Sequence, residues 1–236
     1  IMTLVELTEM IVKSLVSDPD SISVKEFPSD DEIIIEVVVK EEDMGSVIGR
    51  EGKIANSIRT VVQASSYLKD NKTVGVGGSM TLFETGVIDL LRKCPVQFLD
   101  RYQKDLTRDE VEDIFHQSLL ADLYLTSSNA IDMQGNLYNI DGNGNRVAAM
   151  IYGPKKVLVI VGKNKIVEDE QAAIQYIQNV SAPANAMRLN KKTPCVQTGK
   201  CMNCQSDERI CSMYTKISRQ KQGRMSVLVI NEEFGY

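Results

Sequence analysis

The feature that most restricts what this chain can fold into is a break in its hydrophobic pattern at residues 72–73. Before it, two helical repeats flank two β-branched runs; after it, short apolar runs such as Val157–Val161 alternate with helical stretches. The charge breaks at the same place. Residues 1–72 carry 8 Lys/Arg against 14 Asp/Glu, whereas residues 73–236 carry 19 against 18. Two units are expected, 1–72 and 73–236, and 236 residues suffice for at least one sizeable core. An apolar content of 43% with 25% charged residues excludes a wholly disordered or fibrous chain. No apolar run approaches the ~20 residues of a membrane span. Ile1-Met2-Thr3 lacks the basic and apolar regions of a signal peptide, so a soluble, cytoplasmic protein with no membrane partner is expected. Ile1 ahead of Met2 suggests that the natural start, or some flanking sequence, is not faithfully represented.

In the first unit Leu4, Leu7, Ile11 and Leu15, with Val5 and Val12, predict a helix over 3–16, stopped where Pro19 cannot continue it. Strands are predicted at Ser21–Glu26 and Glu32–Lys40, then a helix with Ile54, Ile58, Val61 and Val62 facing inward, then a closing strand, Lys72–Val76. Before the second helix stands Val47-Ile48-Gly49-Arg50-Glu51-Gly52-Lys53-Ile54. Two glycines let the backbone come close to a sugar–phosphate chain, and Arg50 and Lys53 supply local positive charge in an acidic unit. Gly49, Arg50, Glu51, Gly52 and Lys53 are therefore the candidate RNA-binding residues, with Glu51 weakening phosphate contact. A bare GxxG is often only a helix–helix turn; the order of elements around this one sets it apart.

That run matches the V-I-G-x-x-G-x-x-I signature of KH domains, and residues 2–76 resemble the KhpA family. The resemblance implies an α+β type II KH fold, sequence-tolerant binding of single-stranded RNA and partnership with a second KH protein, KhpB. It also implies a link to RNA chaperoning, the cell envelope and cell shape.

The second unit reads as α/β with a mainly parallel sheet. Thr73–Val76 runs into Gly77-Gly78-Ser79 and a helix over Leu82–Arg92. A capping box, Thr107 to Glu110, starts a helix to Leu120. Further strands are expected at Leu123–Thr126, from Asn136, and at Val157–Gly162, with a helix from Val147 and another over 168–189 broken near Pro183. Met213–Ser218 and Met225–Ile230 are expected to form a hairpin around Gly223. Ligands bind at the carboxyl ends of strands in such sheets. One loop offers Gly77, Gly78, Ser79 and Thr81, and the other Asn139, Asp141, Asn143, Asn145 and Arg146, as candidate ligand-binding residues. Asp141 and Asn143 read equally well as turn formers, and His116 reads as structural. The glycine spacing supports nucleotide binding only weakly.

The segments VGVGGSMT, TSSNAI, NIDGNGNRVAAMIYGPKK, NKIV, APANAMRLN and TPCVQTGKCMNC together resemble the LUD-domain proteins associated with lactate utilisation. The resemblance runs from Thr73 to Tyr236 and implies a fold similar to NagB, RpiA and CoA-transferase proteins. It implies a role with L-lactate or a related small organic acid, and assigns no catalytic residue. LUD domains normally carry a further helix, strand and helix ahead of this strand, so the domain reads as N-terminally truncated. Lys72–Val76 is thus claimed by both units, and one strand cannot easily serve two cores.

Cys195, Cys201, Cys204 and Cys211 lie within seventeen residues. Four thiolates at this spacing read as one metal centre, zinc or a [4Fe–4S] cluster, before they read as two disulfides. The redox association of the LUD family favours iron–sulfur. Cys94 reads as an ordinary buried thiol. Three functions compete: an RNA-binding module joined to a LUD domain, a small-acid redox enzyme or electron-transfer component in which the KH part is incidental, and an artefactual fusion of two unrelated genes.

Overall fold

In the computed structural model, Thr3 opens the first helix, α1 (Leu4–Lys13), with a capping box: its hydroxyl accepts from the Glu6 amide and the Glu6 carboxylate accepts from the Thr3 amide. The structure describes residues 3–28, 33–66, 72–220 and 223–236. The chain divides into two compact units, 1–70 and 71–236. In the first, α1 is followed by β1 (Ser23–Pro28) and β2 (Ile33–Val38), antiparallel with Ser23 opposite Val38, and then by α2 (Met44–Ile48) and α3 (Lys53–Ser66). Asp43 ties the exit of α1 to the start of α2 by accepting from the Ser17 amide and hydroxyl. The four residues expected to face inward from α3 are only half-buried, and no residue of that helix is buried.

Residues 73–76 do not close the first unit as expected. They form β3 (Thr73–Val76), an inner strand of a five-stranded, wholly parallel sheet in the second unit. Chain order there runs α4 (Met80–Glu84), α5 (Val87–Leu91), β4 (Gln97–Leu99), α6 (Arg108–Ser118), β5 (Leu123–Thr126), β6 (Ala130–Asp132) and β7 (Leu137–Asp141). It continues through α7 (Asn145–Tyr152), β8 (Lys156–Gly162), β9 (Ile166–Val167), α8 (Glu170–Tyr176), α9 (Ala182–Arg188), α10 (Pro194–Thr198), β10 (Met213–Ile217) and β11 (Met225–Ile230). The parallel sheet has the order β11-β8-β5-β3-β4; a second, mixed sheet has the order β10-β7-β6-β9. Val74 and Val76 are 0% and 2% exposed in the first of these. Pairing on both sides within a covered sheet buries them more completely than an edge position would.

The expected C-terminal hairpin is not formed. β10 pairs antiparallel with β7 and β11 pairs parallel with β8, so the two strands enter different sheets. The helix expected over Leu82–Arg92 is two short helices, because Gly86 is left-handed between them. The helix over 168–189 does not break at Pro183. It widens into a π-turn (Ile177–Ser181) ahead of it, which leaves the proline in the first turn of α9, where its missing N–H is tolerated. The capping box at Thr107 is present, and His116 is exposed in the last turn of α6, a position where a basic side chain complements the helix end. One core is shared by α7 and strands of both sheets, from Tyr124 and Leu137 through Met150 to Val159 and Ile217; a second gathers Ala130, Tyr138, Ala173 and Ile177 under α8. No helix among the described residues is long and apolar enough to cross a membrane.

Candidate functional site

The carboxyl ends of β3, β5, β7 and β8 lead into the loops at 77–79, 127–129, 142–144 and 163–165. These loops surround a cavity of about 200 Å³. Gly78, Ser79, Asp141, Asn143, Asn145 and Arg146 line it, as expected; Gly77, Thr81 and Asn139 stand one layer behind. The Gly77 amide is not free for an anion, because it donates to the Leu125 carbonyl at 2.9 Å. Its glycine serves spacing: a Cβ there would lie 2.5 Å from Thr126 Oγ1 and 3.1 Å from Arg146 Cγ. Asn139 is fully buried and accepts from Arg146 Nη1 at 3.3 Å.

Arg146 lines the cavity and spends its donors within the protein. Its Nε donates to Asp141 Oδ2, Nη1 to the Ser127 carbonyl and Asn139, and Nη2 to Asn129 Oδ1 and the Ile140 carbonyl. Those are the five donors a guanidinium has. It therefore gives the cleft a fixed positive charge and a braced wall. Asp141 forms the turn, since Oδ1 accepts from the Asn143 and Gly144 amides, while Oδ2 pairs with Arg146. Arg101 and Arg188 also line the cavity, and neither has a carboxylate partner among the described residues. Arg101 lies over the Phe115 ring at 4.3 Å, and Arg188 donates to Asn185 Oδ1.

Sequence reasoning missed Lys165. It sits in the turn after β8, is 3% exposed and lines the cavity. Its Nζ donates to Thr81 Oγ1 at 2.8 Å and Ser127 Oγ at 3.0 Å, and among the described residues no carboxylate pairs with it. Burial, then the neighbouring charge of Arg146, hold its pKa down to about 7, against a weak opposing pull from Glu84. The strand-end rule that pointed to the 77–81 loop points equally to the end of β8, and that was the available signal. A lysine with a lowered folded pKa binds fewer protons folded than unfolded between about pH 7 and the unfolded value of 10.5. Its contribution to stability therefore improves as pH rises through that window. Lys165→Met is expected to raise the melting temperature at pH 7 and to confer little gain at pH 10; an equal gain at both would contradict the buried charge.

In the first unit the loop between α2 and α3 has left-handed backbone at Gly49, Glu51 and Gly52. A Cβ on Gly49 would stand 2.5 Å from Ile54 Cγ1, so only glycine fits. Arg50 and Lys53 are exposed; Lys53 Nζ lies 3.3 Å from Glu51 Oε2 in a solvated pair that yields readily to a stronger anion. Met44 and Ile48 present apolar surface beside the loop, and a groove of about 930 Å³ opens between β2 and the three helices.

All five cysteines are free thiols and half-buried. Burial raises the Cys94 thiol. Cys195 Sγ lies 3.2 Å from Thr193 Oγ1, and Cys201 Sγ accepts from the Asn203 amide. Arg209 donates to the carbonyls of Cys204 and Cys211. Among the described residues no group of three or more His, Cys, Asp or Glu is placed to hold a metal ion.

A parallel sheet with a cationic cleft at its strand ends, preceded by a helix–GxxG–helix unit, defines a two-part α/β protein. Residues 49–230 match the LUD domain model and residues 5–76 the model for the KhpA/KhpB KH domain. The chain belongs to the LUD-domain family, and its first unit to the KhpA/KhpB family of KH domains. The first unit is similar to the RNA-binding protein KhpA of Clostridium perfringens (strain 13 / Type A), 51% identical over 71 residues, which are 30% of this chain and 93% of that protein. Its counterpart in Clostridium acetobutylicum is 49% identical over 71 residues, with the same coverage. Among solved structures, a DUF162 family protein from Deinococcus radiodurans aligns with 77% of this chain and 98% of its own at 11% identity and a TM-score of 0.30.

Proposed function

We propose that this protein is a cytoplasmic RNA-binding KH module joined to a LUD domain that binds a small organic acid, lactate or a close relative. The observation that carries the acid-binding half is the charge of the cleft: Arg101 and Arg188 line it without a carboxylate partner among the described residues, while the charge of Asp141 is already met by Arg146. A volume of about 200 Å³ is smaller than the ~300–1,000 Å³ of clefts that take drug-sized ligands, which favours a small metabolite over a nucleotide. Lactate or pyruvate is expected to raise the melting temperature of the second unit, and acyl-CoA compounds are not. No shift with either acid would sink this half of the reading.

The RNA-binding half rests on the exposed GREG loop and on KhpA relatives whose name states RNA binding. A KhpB-like KH protein is the partner such a module would take. Replacing Arg50 and Glu51 by aspartate should weaken single-stranded RNA binding about tenfold or more. It should also flatten the salt dependence by ~0.7 in slope for each phosphate that is no longer neutralised. Gel shifts over a salt series read both, and unchanged binding would exclude the loop.

The cysteine segment supports a metal only by spacing and neighbourhood. Burial raises the Cys211 thiol, and the proximity of Cys201 and Cys204 raises it further, with Arg209 opposing. A metal would have to draw the four thiolates closer. Elemental analysis of anaerobically purified protein should then find zinc or iron bound, lost on replacing any of the four by serine; metal-free protein would end the proposal.

A further inference from the structure

We infer that Lys165 is the nucleophile of the LUD cleft, where it captures the carbonyl carbon of a small 2-oxo acid as an imine. This rests on the reading of the cleft as a small-acid site and goes further by naming the acid's second functional group. Three observations carry it. The amine reaches the cavity wall although the residue is almost wholly buried, and among the described residues no carboxylate pairs with it to hold it as an ammonium ion. Its two partners are hydroxyls that have their own outlets: Thr81 donates to the Phe234 carbonyl and Ser127 to the Ser128 carbonyl, so both can accept from Nζ. Arg101 and Arg188 line the same cavity without carboxylate partners among the described residues, which leaves them for the carboxylate of the incoming acid. Desolvation beside a second cation is the known way to keep a lysine amine neutral and reactive near pH 7, and Arg146, with every donor committed, is that fixed cation.

The step balances without an oxidant or reductant. The Nζ lone pair attacks the carbonyl carbon, forming a C–N bond while the carbonyl π pair moves to oxygen. A proton passes from the attacking nitrogen to that oxygen, with the Ser127 and Thr81 hydroxyls, 3.0 and 2.8 Å from Nζ, placed to relay it. The carbinolamine hydroxyl then leaves as water, taking up the proton still on nitrogen through the same hydroxyls, and the nitrogen pair forms the C=N bond. One water leaves for each imine made.

The test uses the full chain with pyruvate as probe and cyanoborohydride to reduce any imine to a stable secondary amine, followed by peptide mass mapping. One adduct per chain on Lys165 is expected, absent in Lys165→Met and suppressed by excess lactate, which carries the carboxylate but no carbonyl. Labelling spread over surface lysines, equal in wild type and Lys165→Met, would overturn the inference, as would no label at Lys165. The mapping in wild type decides this even if the variant folds poorly. A melting shift with lactate and pyruvate but no adduct would leave the acid-binding reading standing and remove the imine. Neither shift nor adduct would remove both.

Discussion

Replacing Arg146 by leucine is expected to destabilise the LUD unit by about 3–5 kcal/mol, the usual cost of removing one partner from a buried ion pair. Both side chains of the Arg146–Asp141 pair are about one-tenth exposed, so the carboxylate left behind has little water to turn to. The loss extends beyond the pair, since the buried Ser127 carbonyl, Asn139 and the half-buried Asn129 also lose their donor. Asp141→Asn separates the two duties of that residue. Asparagine can still accept from the Asn143 and Gly144 amides, so the turn survives while the charge goes, and a smaller loss than that of Arg146→Leu is expected. Urea unfolding of the full chain, followed by a probe in the second unit, measures both. A cost below about 1 kcal/mol for Arg146→Leu would mean that the wall relaxes and the brace is dispensable.

The contrast between Arg146 and Lys165 shows where the sequence was readable and where it was not. The strand-end rule pointed to the cleft, and six of the nine candidate residues line the cavity. It could not tell which cation is free. Arg146 looked available because a guanidinium's partners are carbonyls and amides from several loops, none of them adjacent in sequence. Lys165 looked ordinary because its burial is created by the packing of residues 81 and 127 against it. Strand positions were legible where the apolar run was long, as in β8; the three-residue strands β4 and β6 carry too short a pattern to register. Pairing was less legible still. Two apolar runs separated by Gly223 look like a hairpin, yet periodicity records that a strand is half-covered and not which edge covers it.

A fragment ending at Val76 should hold the KH unit more tightly than the full chain does. The KH and LUD models overlap over residues 49–76, and in the full chain β3 lies between β4 and β5. Removing it from that sheet would break ladders on both sides and expose Val74 and Val76, each worth roughly 1.5–3 kcal/mol of burial. The strand therefore stays with the LUD sheet, and the KH unit is left with two paired strands, an α3 with no buried residue and exposed Ile33, Met44 and Ile48 around an open groove. In the fragment the LUD sheet is gone, and Thr73–Val76 is free to add the third strand that the KhpA/KhpB match, running to residue 76, includes. Covering Ile54, Ile58 and Val62 should then slow hydrogen exchange in α3 by about tenfold or more, each factor of ten being about 1.4 kcal/mol of local stability. Hydrogen exchange on the fragment and the full chain, compared peptide by peptide over 53–66, makes the measurement. Equal protection would show that the KH unit does not need this strand, and that the two domains share it at no cost to either.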